Sequence, residues 1–210
     1  MDIVAHLKWR YAVKKFNSKK ILPLEKVEKL KMSFNLTATS YGLQPIKLLV
    51  VKNKALQQQL VSYSYNQQQV AQASHVLIIC IENKIDSEYI TRYFNQVKHI
   101  RGTSDAILDP FKDDMVASFS KKEEQEIREW AVNQAYLAMG NLLTICAIEK
   151  IDSCPMEGFE SEEYDKLLGL ANKKLTSVLV LPVGYRAEDD MFSGLKKVRR
   201  NIDDSVIDIL

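Results

Sequence analysis

Residues 135–148 read Ala-Tyr-Leu-Ala-Met-Gly-Asn-Leu-Leu-Thr-Ile-Cys-Ala-Ile, in which only Asn141 and Thr144 are polar beside Gly140. Wound as a helix, such a run shows apolar surface nearly all round, the pattern of a helix enclosed on every side. It falls short of the roughly 20 apolar residues that a bilayer crossing takes, so burial between a sheet and another subunit is expected instead. The charged stretch before it carries Ile127, Trp130 and Ala131 on one face and extends the same helix. Lys121 to Lys150 is therefore predicted as one helix of about thirty residues, about 45 Å long. Gly140 costs about 1 kcal/mol relative to Ala inside a helix. A close approach by another helix would explain it, and a simple weak point in the helix is the alternative.

Working outward, three apolar runs are short enough for buried strands: Ile46–Val51, Val76–Ile81, and the β-branched Thr176–Val183 closed by Gly184. Strands apolar on both faces need cover on both, and helices must supply it. Residues 2–9 form a short amphipathic helix. Pro23-Leu24-Glu25 opens another, with Val27, Leu30 and Phe34 at helical spacing. Thr37 to Pro45 is a polar loop rich in hydroxyls. Residues 84–120 are poorly periodic and contain Asp109-Pro110, Asp113-Asp114 and several aromatics. They read as an irregular excursion that caps a pocket or is mobile surface. The organisation is mixed α and β with no clear linker, one domain over residues 1–210.

Composition excludes several classes. Hydrophobic residues are 46% of the 210, which suits a globular core, and 29 basic against 27 acidic side chains leave no concentrated basic face for a nucleic acid. Met1-Asp2-Ile3-Val4-Ala5-His6 has an acid where a secretory signal carries positive charge, so cytoplasmic residence is expected, with no membrane partner. Cys80, Cys146 and Cys154 are odd in number and lack Cys-x-x-Cys spacing; they read as free buried thiols. His6, His75 and His99 have no partners at metal-ligand spacing, so no metal is expected. The seven glycines form neither Gly-x-Gly-x-x-Gly nor Gly-x-x-x-x-Gly-Lys. A phosphate in this protein would be held by side chains.

Two pairs of cations suit that task. Arg10 and Lys14 lie four apart in a stretch with strand-like alternation, Arg10-Tyr11-Ala12-Val13-Lys14, and Lys197 and Arg199 lie two apart, so an extended backbone puts each pair on one side. An Arg fork gives paired directional hydrogen bonds to phosphate and Lys adds point charge. Either strip alone also reads as a solvated basic face. A third segment, Pro155-Met156-Glu157-Gly158, reads alone as a surface turn. Joined to Thr39-Ser40-Tyr41-Gly42-Leu43-Gln44-Pro45, Asn66, Ala73-Ser74-His75-Val76, and Glu129-Trp130 through Gln134-Ala135-Tyr136-Leu137 to Gly140-Asn141, these segments form an ordered pattern from Met1 to about Asn201. That pattern resembles the flavin-dependent nitroreductase family, close to its oxygen-insensitive bacterial NAD(P)H nitroreductase and dihydropteridine reductase branch.

The resemblance implies an α+β, nitroreductase-like fold: a central, mostly antiparallel sheet flanked by helices, with the long helix at a homodimer interface. It implies two FMN molecules at that interface, NADH or NADPH as electron donor, and ping-pong hydride transfer to a small-molecule acceptor such as a nitroaromatic or quinone. By the same resemblance Arg10, Lys197 and Arg199 hold the FMN phosphate beside Tyr11 and Ala12. Lys14 and Asn66 lie along the pyrimidine edge, with Lys14 favouring flavin reduction through its charge. Thr39, Ser40 and Gly42 belong to a segment that comes from the partner subunit, and Gln134 sits near the ribityl chain. Pro155, Met156, Glu157 and Gly158 pass the dimethylbenzene-to-N5 side, Glu157 helping to place the nicotinamide. Four departures stand out: Ala12 for the usual Ser, Gly42 for a common Asn, Ile46 for a frequent aromatic, and Gln69 for a Lys near the flavin or nicotinamide dinucleotide. They leave open a flavin-binding dimer without turnover, or a specialist such as a dehalogenase or flavin-fragmenting relative.

Overall fold

The computed structural model describes residues 2–209. Its centre is β2 (His75–Glu82), which pairs antiparallel with β1 (Ile46–Val51) on one side and with β4 (Leu175–Gly184) on the other. A two-residue β3 (Asp152–Ser153) pairs with the far edge of β4, giving the antiparallel order β1-β2-β4-β3. Side chains alternate faces along a strand. Leu77, Ile79 and Ile81 therefore enter one apolar cluster while Val76, Ile78 and Cys80 enter another on the opposite face. The register slips between Ile79, opposite Leu179, and Cys80, opposite Ser177, so Val178 is the extra residue of a bulge.

The first face is covered by α2 (Leu24–Asn35) and α7 (Glu124–Ile148). α2 contributes Val27, Leu30 and Phe34, the three positions its periodicity predicts. α7 turns Ala131, Ala135, Ala138, Leu142 and Cys146 to the sheet; four of these five are small, which lets the helix lie close. The second face is covered by α3 (Lys54–Leu60), α4 (Gln69–Gln72) and α8 (Ser161–Leu168), through Leu60, Val70 and Tyr164 among others. The result is the expected α+β arrangement of an antiparallel sheet between helices.

Several expectations need correction. The long helix has 25 residues and begins at a capping box between Glu123 and Glu126, so Lys121 and Lys122 precede it. By length and composition it is able to cross a bilayer, but 44% of its apolar stretch is buried within the chain. Within one chain its outer side is open, with Tyr136 45% and Leu137 54% exposed, the side that the sequence reading gave to another subunit. A Cβ at Gly140 would meet nothing within 4 Å, so within the chain no neighbouring helix explains that glycine. β1 is an edge strand with half-buried Leu48, Leu49 and Val50 and exposed Lys47, since nothing pairs with its outer side among the described residues. Residues 84–120 are no irregular excursion. They form α5 (Ser87–Arg101) and α6 (Asp105–Phe119), joined by a turn at Gly102. Each buries only two residues, Ile90 and Phe94 or Leu108 and Phe119, and α6 contains Pro110. α5 nonetheless carries Tyr89, Ile90, Tyr93, Phe94 and Val97 at helical spacing, a stripe on the core that the sequence reading missed.

The N-terminal helix α1 (Ile3–Trp9) is capped by Asp2, whose side chain accepts from Ala5 N–H at 3.1 Å, and it buries no residue. His6 Nδ1 lies 3.0 Å from the carbonyl of Ala147 and ties α1 to the end of α7.

Leu142 is fully buried between α7 and the sheet. Leu142→Ala should lower the unfolding free energy by about 3 kcal/mol in a urea titration, the loss expected when a cavity opens in a packed core.

Candidate functional site

The outer edge of β4 organises the cationic end of the molecule. Residues 152–156 run along it: Cys154 N–H donates to Pro182 O at 3.1 Å, and Met156 and Val180 exchange bonds of 2.8 and 3.0 Å. The Arg10–Asn17 segment lies beside them. Val13 N–H donates to Ser153 O at 3.2 Å, Asn17 N–H to Tyr185 O at 2.8 Å, and Ala187 N–H to Lys15 O at 2.9 Å. Arg10 and Lys14 are thereby placed next to Pro155.

A cavity of about 570 Å³ opens there, lined by Arg10, Tyr11, Ala12, Lys14, Pro155, Lys197 and Arg199, with Lys8 and Lys196 at its margin. Both predicted pairs of cations thus reach one place. None of these six cations is ion-paired to a carboxylate among the described residues. Arg10 Nε is buried without a hydrogen-bond partner. Burial, and next to it the charge of Arg199, lowers the Arg10 pKa; burial, Arg10 and Arg199 lower that of Lys197. The Lys197 ammonium donates to the carbonyl of Arg10. Converging, partly desolvated cations with an orphan guanidinium N–H fit a phosphate dianion, which would supply the missing charge and acceptors.

One nearby cation is not available for that purpose. Arg186 donates through Nε to Asp152 Oδ1 and through its backbone N–H to Asp152 Oδ2, both at 2.8 Å. Its guanidinium lies 4.5 Å from the Trp9 ring centre and 4.4 Å from that of Tyr11. It is a brace under the segment.

A second group adjoins the first through Cys154 and Pro155. Tyr65 and Asn66 are consecutive left-handed residues, φ 52° and 59°, a strained pair held against the 155–158 turn. Gln67 Nε2 donates to Gly158 O at 2.9 Å, and a Cβ on Gly158 would stand 3.6 Å from the Tyr65 ring. Met156 points into the core and its backbone N–H is taken by Val180, so it offers the site no donor. Among the described residues the N–H groups of Glu157 and Gly158 donate to no protein acceptor. The Glu157 side chain is exposed. Tyr136 of α7 faces this turn, its pKa raised by burial and then by Glu157. Gln69 is buried beside Cys154, whose pKa is raised by burial, an effect that the charge of Lys14 partly offsets. Residue 69 therefore belongs to the inner wall between the two groups.

The third group stays apart within one chain. Ser40 N–H donates to Gln134 Oε1 at 2.8 Å, and Gln134 Nε2 donates to Trp130 O at 2.9 Å. Gln134 is buried; its amide oxygen anchors the 39–42 loop while its amide nitrogen is tied back to its own helix. Thr39 Oγ1 accepts from Gln44 N–H at 3.0 Å. Gln134 and Ala147, which receives α1 and the start of the cationic segment, are thirteen residues apart on α7, or about 20 Å. Thr39, Ser40, Gly42 and Gln134 therefore do not meet Arg10 in the same chain.

Sequence reasoning missed Tyr65, Gln67, Asp152, Arg186 and Asp190. Only the adjacent αL-tolerant Asn66 hinted at the strained turn. Among the described residues no cluster of His, Cys, Asp and Glu is arranged for a metal. The three cysteines are free and buried, with Cys80 and Cys146 pushed up to about 12 by burial.

The sequence profile described as the Nitroreductase family matches residues 7–185. The chain belongs to the nitroreductase family. It is 28% identical over 218 aligned positions to the oxygen-insensitive NAD(P)H nitroreductase of Salmonella typhimurium, covering all of both chains. Its fold is similar to that of a nitroreductase-like protein from Streptococcus mutans, with a TM-score of 0.86, 22% identity, and coverage of 100% and 98%. It is similar too to a candidate nitroreductase from Exiguobacterium sibiricum, solved in complex with FMN, with a TM-score of 0.83, 18% identity, and coverage of 99% and 97%.

Gly42 has φ +72°, and a Cβ there would stand 2.5 Å from Tyr93 Oη. Gly42→Ala should lower the unfolding free energy by about 1–2 kcal/mol, the cost of a left-handed L-residue, as read by urea denaturation. A thiol reagent at pH 8 should modify none of the three cysteines within minutes in the native protein and all three once it is denatured.

Proposed function

We propose that this nitroreductase-family chain is an FMN-dependent NAD(P)H oxidoreductase, one domain over residues 1–210, acting in the cytoplasm as a homodimer on small-molecule acceptors such as nitroaromatics or quinones. The observation that carries the reading is the cavity where Arg10, Lys197 and Arg199 converge without a carboxylate, Arg10 Nε having no protein partner. When bound, FMN supplies the two-electron chemistry, taking hydride from NAD(P)H and passing it to the acceptor in a ping-pong sequence. The protein binds and orients. Arg10, Lys197 and Arg199 hold the phosphate. Lys14, on the same cavity wall, is the cation that favours negative charge on the ring system. The free N–H groups of Glu157 and Gly158 are donors for the polar edge of a flavin, and the exposed Glu157 carboxylate helps to place the nicotinamide. Asn66 and the buried Gln69 flank that ground.

The dimer is supported by what one chain leaves uncovered. Ile3, Val4 and Leu7 of α1, Tyr136 and Leu137 of α7, and Val206, Ile207 and Ile209 of the C-terminal tail are exposed. A second copy would cover them. It would also let Thr39, Ser40 and Gly42 of one chain complete the cavity of the other, which the distance along α7 forbids within a single chain.

Anaerobic addition of NADH or NADPH to the FMN-loaded protein tests turnover. Bleaching of the flavin band, and its return on adding a quinone, is expected; a flavin-binding dimer without turnover stays yellow. Arg199→Ala should weaken FMN binding by about 1.5–3 kcal/mol, one charge-assisted contact, and equal dissociation constants would reject that role. Light scattering at micromolar protein should give twice the 24.1 kDa of one chain. Gln69→Lys should raise the reduction potential of bound FMN in a spectroscopic redox titration, since a buried ammonium there is screened less than a surface one.

A further inference from the structure

Asp190 lies between the two segments that bring cations to the cavity, and it is 3% exposed. Its Oδ2 accepts from the Tyr11 hydroxyl at 2.9 Å, from Lys14 N–H at 3.0 Å and, more weakly, from Lys15 N–H at 3.4 Å. Its Oδ1 accepts from Phe192 N–H at 3.1 Å. One oxygen holds the Arg10–Lys15 segment and the other holds the first turn of the tail that carries Lys197 and Arg199. Burial alone would push its pKa up, but these donors outweigh burial and hold the carboxyl below its ordinary value. It is ionised at neutral pH. The neighbouring charges are spent elsewhere, since Lys15 pairs with Asp189 and Arg186 with Asp152. Asp190 has no cationic partner among the described residues, and N–H and O–H dipoles satisfy it.

Cations that converge without an anion repel one another, so something must keep their two carrier segments together. The backbone bond between Ala187 and Lys15 helps. A buried carboxylate that grips both segments does so more strongly, because hydrogen bonds to a charged acceptor are worth about twice those between neutral groups.

We propose that Asp190 is a positioning residue for the FMN phosphate, fixing the Lys14 segment and the Phe192 turn so that Arg10, Lys197 and Arg199 meet at one point. The proposal rests on reading the cavity as the FMN site. It makes a counterintuitive demand. By charge alone, removing a carboxylate beside a cationic cavity strengthens binding of an anion; by positioning, it weakens it.

Asp190→Asn separates the two. An amide has one oxygen, so its NH₂ group must face either Phe192 N–H or the Lys14 N–H, and one segment loses its acceptor. The measurement is the dissociation constant of FMN and of riboflavin, which lacks the phosphate, by flavin fluorescence quenching, with the thermal midpoint of the flavin-free protein alongside. Asp190→Asn should weaken FMN about tenfold and riboflavin less than about twofold. Tyr11→Phe, which removes one donor and keeps the rest, should weaken FMN about threefold and leave riboflavin unchanged; it decides the matter if Asp190→Asn does not fold. Unchanged or tighter FMN binding overturns the proposal, and so does an equal weakening of both ligands, which marks a merely structural residue. A parent protein that binds FMN no better than riboflavin removes the phosphate reading and the role of Asp190 with it. A parent that prefers FMN, with variants that keep the preference, removes only Asp190.

Discussion

The pairing of β2 with β4, two strands buried on both faces, is the constraint from which the rest of the molecule follows. Each apolar face must be covered, so α2 and α7 close one side and α3, α4 and α8 the other. The covering leaves two sheet edges. At the far one, β3 and residues 154–156 line the margin of β4, and the Arg10–Asn17 segment is bonded in turn to Ser153 and Tyr185. The cationic site is thus a property of the sheet edge. Its position is inherited from backbone hydrogen bonds.

Electrostatics decides what that edge can do. An exposed ion pair is worth about 0–1 kcal/mol, and the surface pairs of this chain, such as Arg92 with Glu88, are of that kind. A partly buried guanidinium meeting phosphate contributes about 1.5–3 kcal/mol per contact. Arg10, with its buried unpartnered Nε and the charge of Arg199 close by, belongs to the second class. The acids that are near do not neutralise the cavity: Asp152 is taken by Arg186, and Asp190 is turned onto backbone N–H groups and Tyr11. This division of labour braces the site while leaving its positive charge unspent.

Local chemistry was legible and tertiary chemistry was not. The continuous apolar run Val76–Ile81, the spacing of Val27, Leu30 and Phe34, and the apolar run of α7 each report burial directly, because packing acts on neighbouring positions. Helices α5 and α6 escaped notice because each fully buries only two side chains, while Tyr89, Tyr93 and Val97 of α5 and Met115 and Val116 of α6 pack half-buried on the core among charged neighbours. The cations were legible as pairs, yet their convergence depended on a fold that brings residue 10 to residue 197. Asp190 sits in Glu188-Asp189-Asp190, which reads as a solvated acidic run; one of the three is buried, and only contacts to Tyr11 and Lys14 reveal which. Gln134, expected near the ribityl chain, holds Ser40 N–H and the Trp130 carbonyl within one chain, a structural task that hydrogen-bond partners alone reveal.

The claim that unspent positive charge at the β4 edge makes this an anion site is tested most directly by titrating the unaltered protein with FMN and with riboflavin across a range of salt concentrations. Attraction between a dianion and convergent cations is screened as salt rises. The logarithm of the FMN dissociation constant should therefore climb steadily with the logarithm of salt concentration, while that of riboflavin stays nearly flat. Parallel lines for the two flavins would contradict the account.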